Sequence, residues 1–159
     1  MEQELPIQIR QGRETDIPFI ANSWLTSYRN SPWAKNMTNT VFFTEHRRLI
    51  DDLFATSFVD IVHDSEDDDQ IIGYMVSAII DGVKVLHYIY VKKPFRELKI
   101  AKLLLNHRGF DKKEMCVYTH ITRQHDHRAE VNGLDVWLRK TEWIFNPYVL
   151  FCYGEKNEG

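Results

Sequence analysis

Cysteine is scarce in this chain: two in 159 residues, Cys116 and Cys152, each inside an apolar, strand-like run. That excludes a disulfide-stapled scaffold and fits small buried hydrophobes in a reducing compartment. Positive charge is not in excess either. Twenty Lys and Arg against 23 Asp and Glu leave a net charge of -3, which argues against a general nucleic-acid or membrane-surface binder. No apolar run approaches the length that crosses a bilayer. The opening MEQELPIQIR lacks the basic and then apolar regions of a secretory signal, so a cytoplasmic protein is expected. Repeats, low-complexity linkers and breaks in composition are missing too. The expectation is one domain over residues 1–153, large enough for a genuine core, with 154–159 as a disordered tail.

What the chain does have is patterning. Residues 6–11 alternate, with Ile7 and Ile9 on one face and Gln8 and Arg10 on the other, which predicts a strand. Thr15 or Asp16 then offers a helix cap, Pro18 fits an early helical position, and Phe19, Ile20, Trp24, Leu25 and Tyr28 recur at helical spacing up to Ser31-Pro32. After a loop over 31–40, a second helix is expected over 44–54, with Phe43, Leu49, Ile50, Leu53 and Phe54 as its apolar stripe. A short strand at 58–62 leads into the acidic run 64–69, read as a solvated hairpin loop because the glycine and spacing of a calcium loop are missing.

Residues 70–80 form a strongly apolar strand in which Gly73 marks a bulge or a close approach. Asp81-Gly82 is a two-residue hairpin signal, and 83–91 is the returning strand. A helix over 96–107, a strand over 115–121, a helix through Leu134, Val136, Trp137 and Leu138, and strands at 143–145 and 148–153 complete the pattern. The order is β-α-α-β-β-β-α-β-α-β-β. It predicts an α/β (α+β) domain with a mixed, largely antiparallel central sheet and flanking helices.

The segment with most chemical direction is LHYIYVKKPFRELKIAKLLL, residues 86–105. A strand, a basic loop and an amphipathic helix follow one another there. The first turn of such a helix presents unpaired N–H groups that favour an anion, and Lys92, Lys93, Arg96 and Lys99 add positive charge. The bland alternative is a solvated basic face.

This segment, with the element order, resembles the GNAT superfamily of acyl-CoA-dependent N-acyltransferases, in a divergent, bacteriophage-type form. The motif is a strand ending in Val, a loop with Pro, and Arg/Gln-x-x-Gly-x-Gly/Ala opening a helix. Val91, Pro94, Arg96 and Ala101 match; Lys99 stands where the first glycine is expected. The likeness spans about residues 7–151. Residues 137–143, WLRKTEW, look like a degraded form of the family's Leu-Tyr-x-Lys-x-Gly-Phe segment.

The resemblance implies acetyl-CoA as co-substrate and a primary amine, on a small molecule or a peptide, as acceptor. It implies that Arg96, Glu97, Leu98, Lys99, Ile100 and Ala101 hold the pyrophosphate. Ile89, Tyr90, Val91, Lys92 and Lys93 would pair with the pantetheine arm where two parallel strands splay apart, and Asn132 would contact that arm. Trp24, Tyr28 and Trp33 would border the acceptor site. No nucleic acid, membrane or metal is expected, and the protein would be a monomer or homodimer.

Many relatives carry a tyrosine on the last helix as general acid. Trp137 and Leu138 stand there in this chain. Tyr118 and His120, two positions apart and so on one strand face, are the substitutes, with Tyr148 more remote. His87 is the first candidate base and His120 the second; a water chain ending on a backbone carbonyl is a further route. The set His120, His125, Asp126 and His127 does not place paired imidazoles on one helix face, which argues against a metal site. Two competing readings remain: a catalytically degenerate fold used for binding or assembly, favoured by Lys99 and the missing tyrosine, and a basic-loop nucleic-acid binder, disfavoured by net charge.

Overall fold

The computed structural model describes residues 6–111, 113–120 and 143–151. The chain builds a six-stranded sheet in which the strands lie in sequence order. Strand β1 (Ile7–Gln11) pairs antiparallel with β2 (Phe58–Asp64), β2 with β3 (Asp67–Ile80), and β3 with β4 (Val83–Val91). The last two strands, β5 (Val117–Tyr118) and β6 (Ile144–Phe145), are short and run parallel to β4 and to one another. The mixed, largely antiparallel sheet expected from the pattern is therefore present.

The turn at Asp81-Gly82 forms as its chemistry requires. Both residues have positive φ, 51° and 77°, so the hairpin twists with its strands. Gly73 lies at both features expected of it. It stands beside the register shift between Val62 and His63, and an added Cβ would lie 2.6 Å from the Tyr90 carbonyl oxygen.

Helices cover both faces. On one side α1 (Ile17–Tyr28) and α2 (Asn39–Thr56) bury Ile20, Trp24, Phe42, Ile50 and Leu53 against Ile61, Tyr74, Val76 and Tyr88. On the other, α3 (Ile100–His107) packs Ile100, Leu104 and Leu105 against Val62, Ile72, Met75 and Leu86. Tyrosines pin α1 to the sheet: the Tyr74 hydroxyl donates to the Ile20 carbonyl, and the Tyr88 hydroxyl lies 2.6 Å from Ser27 Oγ. Among the described residues no helix is long and apolar enough to cross a membrane.

Several boundaries differ from expectation, each for a local reason. Helix α2 starts five residues early because Thr38 caps it, its hydroxyl accepting the Val41 N–H. Phe42 faces inward in place of Phe43, which is exposed, while Ile50 and Leu53 are buried and Leu49 and Phe54 pack beside them as the predicted stripe requires. The acidic run is mostly strand, with only Ser65-Glu66 left as turn. Helix α3 begins at Ile100 and not Arg96, because Glu97 and Lys99 both take left-handed conformations that interrupt a helix. Instead of a final strand, Pro147–Phe151 forms a 3₁₀ turn. There Pro147 fixes φ and Asn146 Oδ1 accepts the Tyr148 N–H. Asp16 stands at the N-cap of α1, as offered, but its side chain makes no bond to that helix. Its carboxylate takes the Arg10 guanidinium and the Arg13 N–H instead. The predicted helix through Leu134 to Leu138, the 137–143 segment, His125, Asp126, His127, Cys152 and the 154–159 tail lie outside or almost wholly outside the described residues, Trp143 alone being within them.

Candidate functional site

The site forms where two parallel strands part company. Strands β4 and β5 pair only at Val85 with Val117 and Leu86 with Tyr118; the Thr119 N–H to Leu86 carbonyl bond, 3.1 Å, is the last rung. Strand β4 continues to Val91 alongside β3, so beyond Leu86 its other edge has no strand partner among the described residues. The divergence coincides with a bulge. Val76 of β3 faces Tyr88, but its neighbour Ser77 faces Leu86, which leaves His87 as the extra residue. The bulge sends Leu86 to the α3 side and Tyr88 to the α1 side.

At the far end of that open edge lies the basic loop. Lys92 closes onto Ile72 through its N–H, and residues Lys93–Phe95 make one 3₁₀ turn. Arg96 then folds back: its Nε donates to the Val91 carbonyl at 2.9 Å, and its guanidinium lies 5.9 Å from the Tyr90 ring centre. Lys92 Nζ sits 5.0 Å over Phe19. Two of the four predicted basic side chains therefore hold the loop in place, while Lys93 and Lys99 are exposed.

Lys99 carries the main departure from the expected motif, yet its backbone does what glycine would do there. It sits at φ 61°, ψ 24°, left-handed, and Ile100 continues as right-handed helix. Such an alternation turns successive N–H groups into one concavity. Arg96 and Glu97 form a turn that directs the Leu98 N–H back toward Phe95. The N–H groups from Lys99 to Lys102 have no acceptor among the described residues, and the first bond of the helix runs from Leu103 to the Lys99 carbonyl. Four orphan donors in sequence, with Lys93 and Lys99 beside them, suit a phosphate group. Ile100 contributes only its backbone, since its side chain is core. Asn132 lies outside the described residues.

The predicted bases sit at the divergence and belong to a longer arrangement. His87 Nδ1 lies 3.0 Å from Thr119 Oγ1, which lies 2.9 Å from His120 Nδ1; His120 Nε2 lies 3.2 Å from His46 Nε2 on α2. His87, Thr119 and His120 are buried. Burial pushes the His46 imidazole down to about 4. Burial, then the neighbouring His46 and His87, holds His120 well below the usual histidine range. The His46 and His120 rings are neutral at pH 7. Tyr118 does not share a face with His120 as the two-residue spacing implied. The strand ends at Tyr118, which packs on the α3-side core and against Phe145, while His120 enters the aromatic cluster under α1 and α2. Burial raises the Tyr118 phenol, so it stays protonated at neutral pH.

Of the residues expected around the acceptor, Trp24 is fully buried and stacks on Tyr88 at 4.5 Å, and Tyr28 is buried beside it. Trp33 is half exposed and meets Phe145, which in turn meets Tyr118. Tyr148 is 76% exposed. His46 and Thr119 are the residues that sequence reasoning passed over. His46 had a signal: with Phe42, Leu49, Ile50 and Leu53 it falls at i, i+4, i+7, i+8 and i+11, the inner face of α2. A separate open depression of about 500 Å3, lined by Gln8, Arg10, Arg13, His63 and residues 65–68, lies at the β1 edge, remote from this chemistry.

Comparison with known proteins follows the same line. The sequence model of the Acetyltransferase (GNAT) family matches residues 20–130. No curated protein matches. Among solved structures, a histone acetyltransferase HPA2 and related acetyltransferase from Corynebacterium glutamicum is 16% identical, covering 65% of this chain and 70% of its own, with a TM-score of 0.52. A possible acetyltransferase from Clostridium difficile 630 is 21% identical over 66% of this chain and 69% of its own, TM-score 0.46. A Brucella melitensis GNAT family acetyltransferase, solved in complex with acetyl-CoA, is 17% identical over 66% of this chain and 67% of its own, TM-score 0.47. At these identities the likeness is one of fold.

Proposed function

The chain belongs to the GNAT acetyltransferase family, and from that premise we propose that it is an acetyl-CoA-dependent N-acetyltransferase acting on a primary amine. The observation that carries this reading is the run of unacceptored N–H groups from Lys99 to Lys102 at the end of an open strand edge. Donors of that kind fit the pyrophosphate, with Lys93 and Lys99 supplying charge. Strand β4 from His87 to Val91 fits the amide-bearing arm as an added strand would. The bound donor supplies a thioester, whose carbonyl carbon the amine attacks while the C–S bond breaks and the thiolate leaves.

The chain's own groups then have separate tasks. His87, at the bulge, takes the proton that the ammonium must lose before it can attack. Tyr118, protonated at neutral pH, holds a proton for the departing sulfur. Trp33 and Phe145 form the accessible part of the acceptor wall, and Trp24 and Tyr28 support it from behind. A monomer or homodimer fits the reading.

The test is calorimetric titration with acetyl-CoA, followed by thiol release over a panel of amines and peptide N-termini. Micromolar binding and acceptor-dependent release are expected. Absence of heat at millimolar ligand overturns the proposal in favour of a degenerate binding or assembly role.

A further inference from the structure

We propose that His46, His120, Thr119 and His87 form a proton relay that carries the proton released in acetyl transfer from the β4–β5 divergence out to the surface of α2. The proposal rests on the acetyltransfer reading and adds to it a path and two residues, His46 and Thr119.

The geometry is continuous. Three contacts of 3.0, 2.9 and 3.2 Å link four side chains from three elements: β4, the segment after β5, and α2. Every link joins groups that both give and accept a proton. With one proton on each ring, the imidazoles and the hydroxyl admit two complete arrangements. In the first, His87 Nδ1–H donates to Thr119 Oγ1, the Thr119 hydroxyl donates to His120 Nδ1, and His120 Nε2–H donates to His46 Nε2, so that His46 carries its proton on Nδ1. In the second every bond is reversed.

Passage from the first to the second balances. His87 Nε2 gains one proton, each inner proton moves one link along, and His46 Nδ1 releases one proton. No ring keeps a net charge. That matters because the environment of His120 penalises a resident cation.

The surroundings confine the path. His120 is packed edge-on by Trp24 at 5.2 Å and Tyr28 at 5.0 Å, with Tyr88 at 6.0 Å. His46 stacks between Tyr28 and Phe42, at 5.1 and 5.3 Å. From α1 the titratable group facing the pair is Tyr28; from β4 they are His87 and Tyr88, whose hydroxyl is held by Ser27; on the outer side Arg29 lies 5.3 Å over Phe42. No carboxylate among the described residues bonds to either ring. His46 alone of the four is partly exposed, which makes it the exit. Aromatic rings line the hydrogen-bonded chain on these sides, so its own imidazoles and hydroxyl are the groups that pass the proton along.

Thr119→Val and Thr119→Ser separate a relay from a merely structural cluster, because only the serine keeps the hydroxyl link. The expected result is a loss of kcat on the order of 100-fold in Thr119→Val, near wild-type kcat in Thr119→Ser, and an unchanged acetyl-CoA Kd in both. His46→Ala, at a partly exposed position, is expected to lose kcat similarly and to regain it with added imidazole. Equal kcat in the two Thr119 variants, or a fully active His46→Ala, overturns the relay while wild-type turnover stands. A wild-type protein that neither binds acetyl-CoA nor releases thiol removes the acetyltransfer reading and this proposal with it.

Discussion

Lys99 and His46 each hold a state their residue type resists. An L-residue in the left-handed region costs about 1–2 kcal/mol, and glycine there returns roughly 0.5–1 kcal/mol of that as unfolded-chain entropy. Lys99→Gly is therefore expected to stabilise the protein by about 0.5 kcal/mol in urea unfolding, and the β-branched Lys99→Val to destabilise it by more than about 1 kcal/mol. Equal stability of all three would contradict the φ of 61°. His46 is held neutral by burial, its folded value of about 4 lying below the ordinary 6.5. Between those values the unfolded chain binds more protons, so stability falls as pH drops from 6.5 to 4 and levels off below. The shift corresponds to about 3 kcal/mol, and partial exposure reduces the expected loss to about 2. His46→Phe should flatten that part of the stability–pH curve, measured by urea unfolding at each pH.

The β3–β4 pair is the element on which the site depends. Gly73 lies opposite Val91, and a Cβ there would meet the Tyr90 carbonyl at 2.6 Å. Neither strand backbone can yield without shifting the end of β4, from which the basic loop departs. Gly73→Ala is expected to cost about 2 kcal/mol and to weaken acetyl-CoA binding as well, read by thermal unfolding and calorimetry. A loss of stability with binding intact would mean that the loop is positioned independently of β4. Much of this element was legible in the sequence: the alternation, the Asp81-Gly82 turn and the special place of Gly73 all follow from local chemistry. The bulge at His87 was not, because nothing in LHYIYV distinguishes a regular strand from one with an extra residue. Its register is set by β3.

Across the whole molecule, the α3 face is fastened by a charge pair between distant segments. Asp60 of β2 is 2% exposed and accepts two bonds of 2.7 Å from Arg108, just past α3. Removing the arginine leaves the buried carboxylate with only His107 Nε2, 3.7 Å away, beside it; for a fully buried pair the loss is about 3–5 kcal/mol. Arg108 is 31% exposed, so Arg108→Ala is expected to cost about 2–3 kcal/mol, with Asp60→Asn in the same chain restoring part of it. Full additivity of the two changes in a double-mutant cycle would show that the pair does not couple α3 to the sheet.

The sequence by itself determined the succession of strands and helices as far as Tyr118, the hairpin turn and the place of the basic loop ahead of α3. Periods of 2 and 3.6 residues, turn residues and a helix start act over a few neighbouring positions. It named Lys99 as the exception; its left-handed backbone belongs to the folded loop. Only the tertiary structure decided that β5 leaves β4 after two residue pairs, that Tyr118 and His120 part to opposite faces, and that His46 meets a partner 74 positions away. Those outcomes depend on packing among elements distant in the chain. Local pattern permits many such arrangements and selects none.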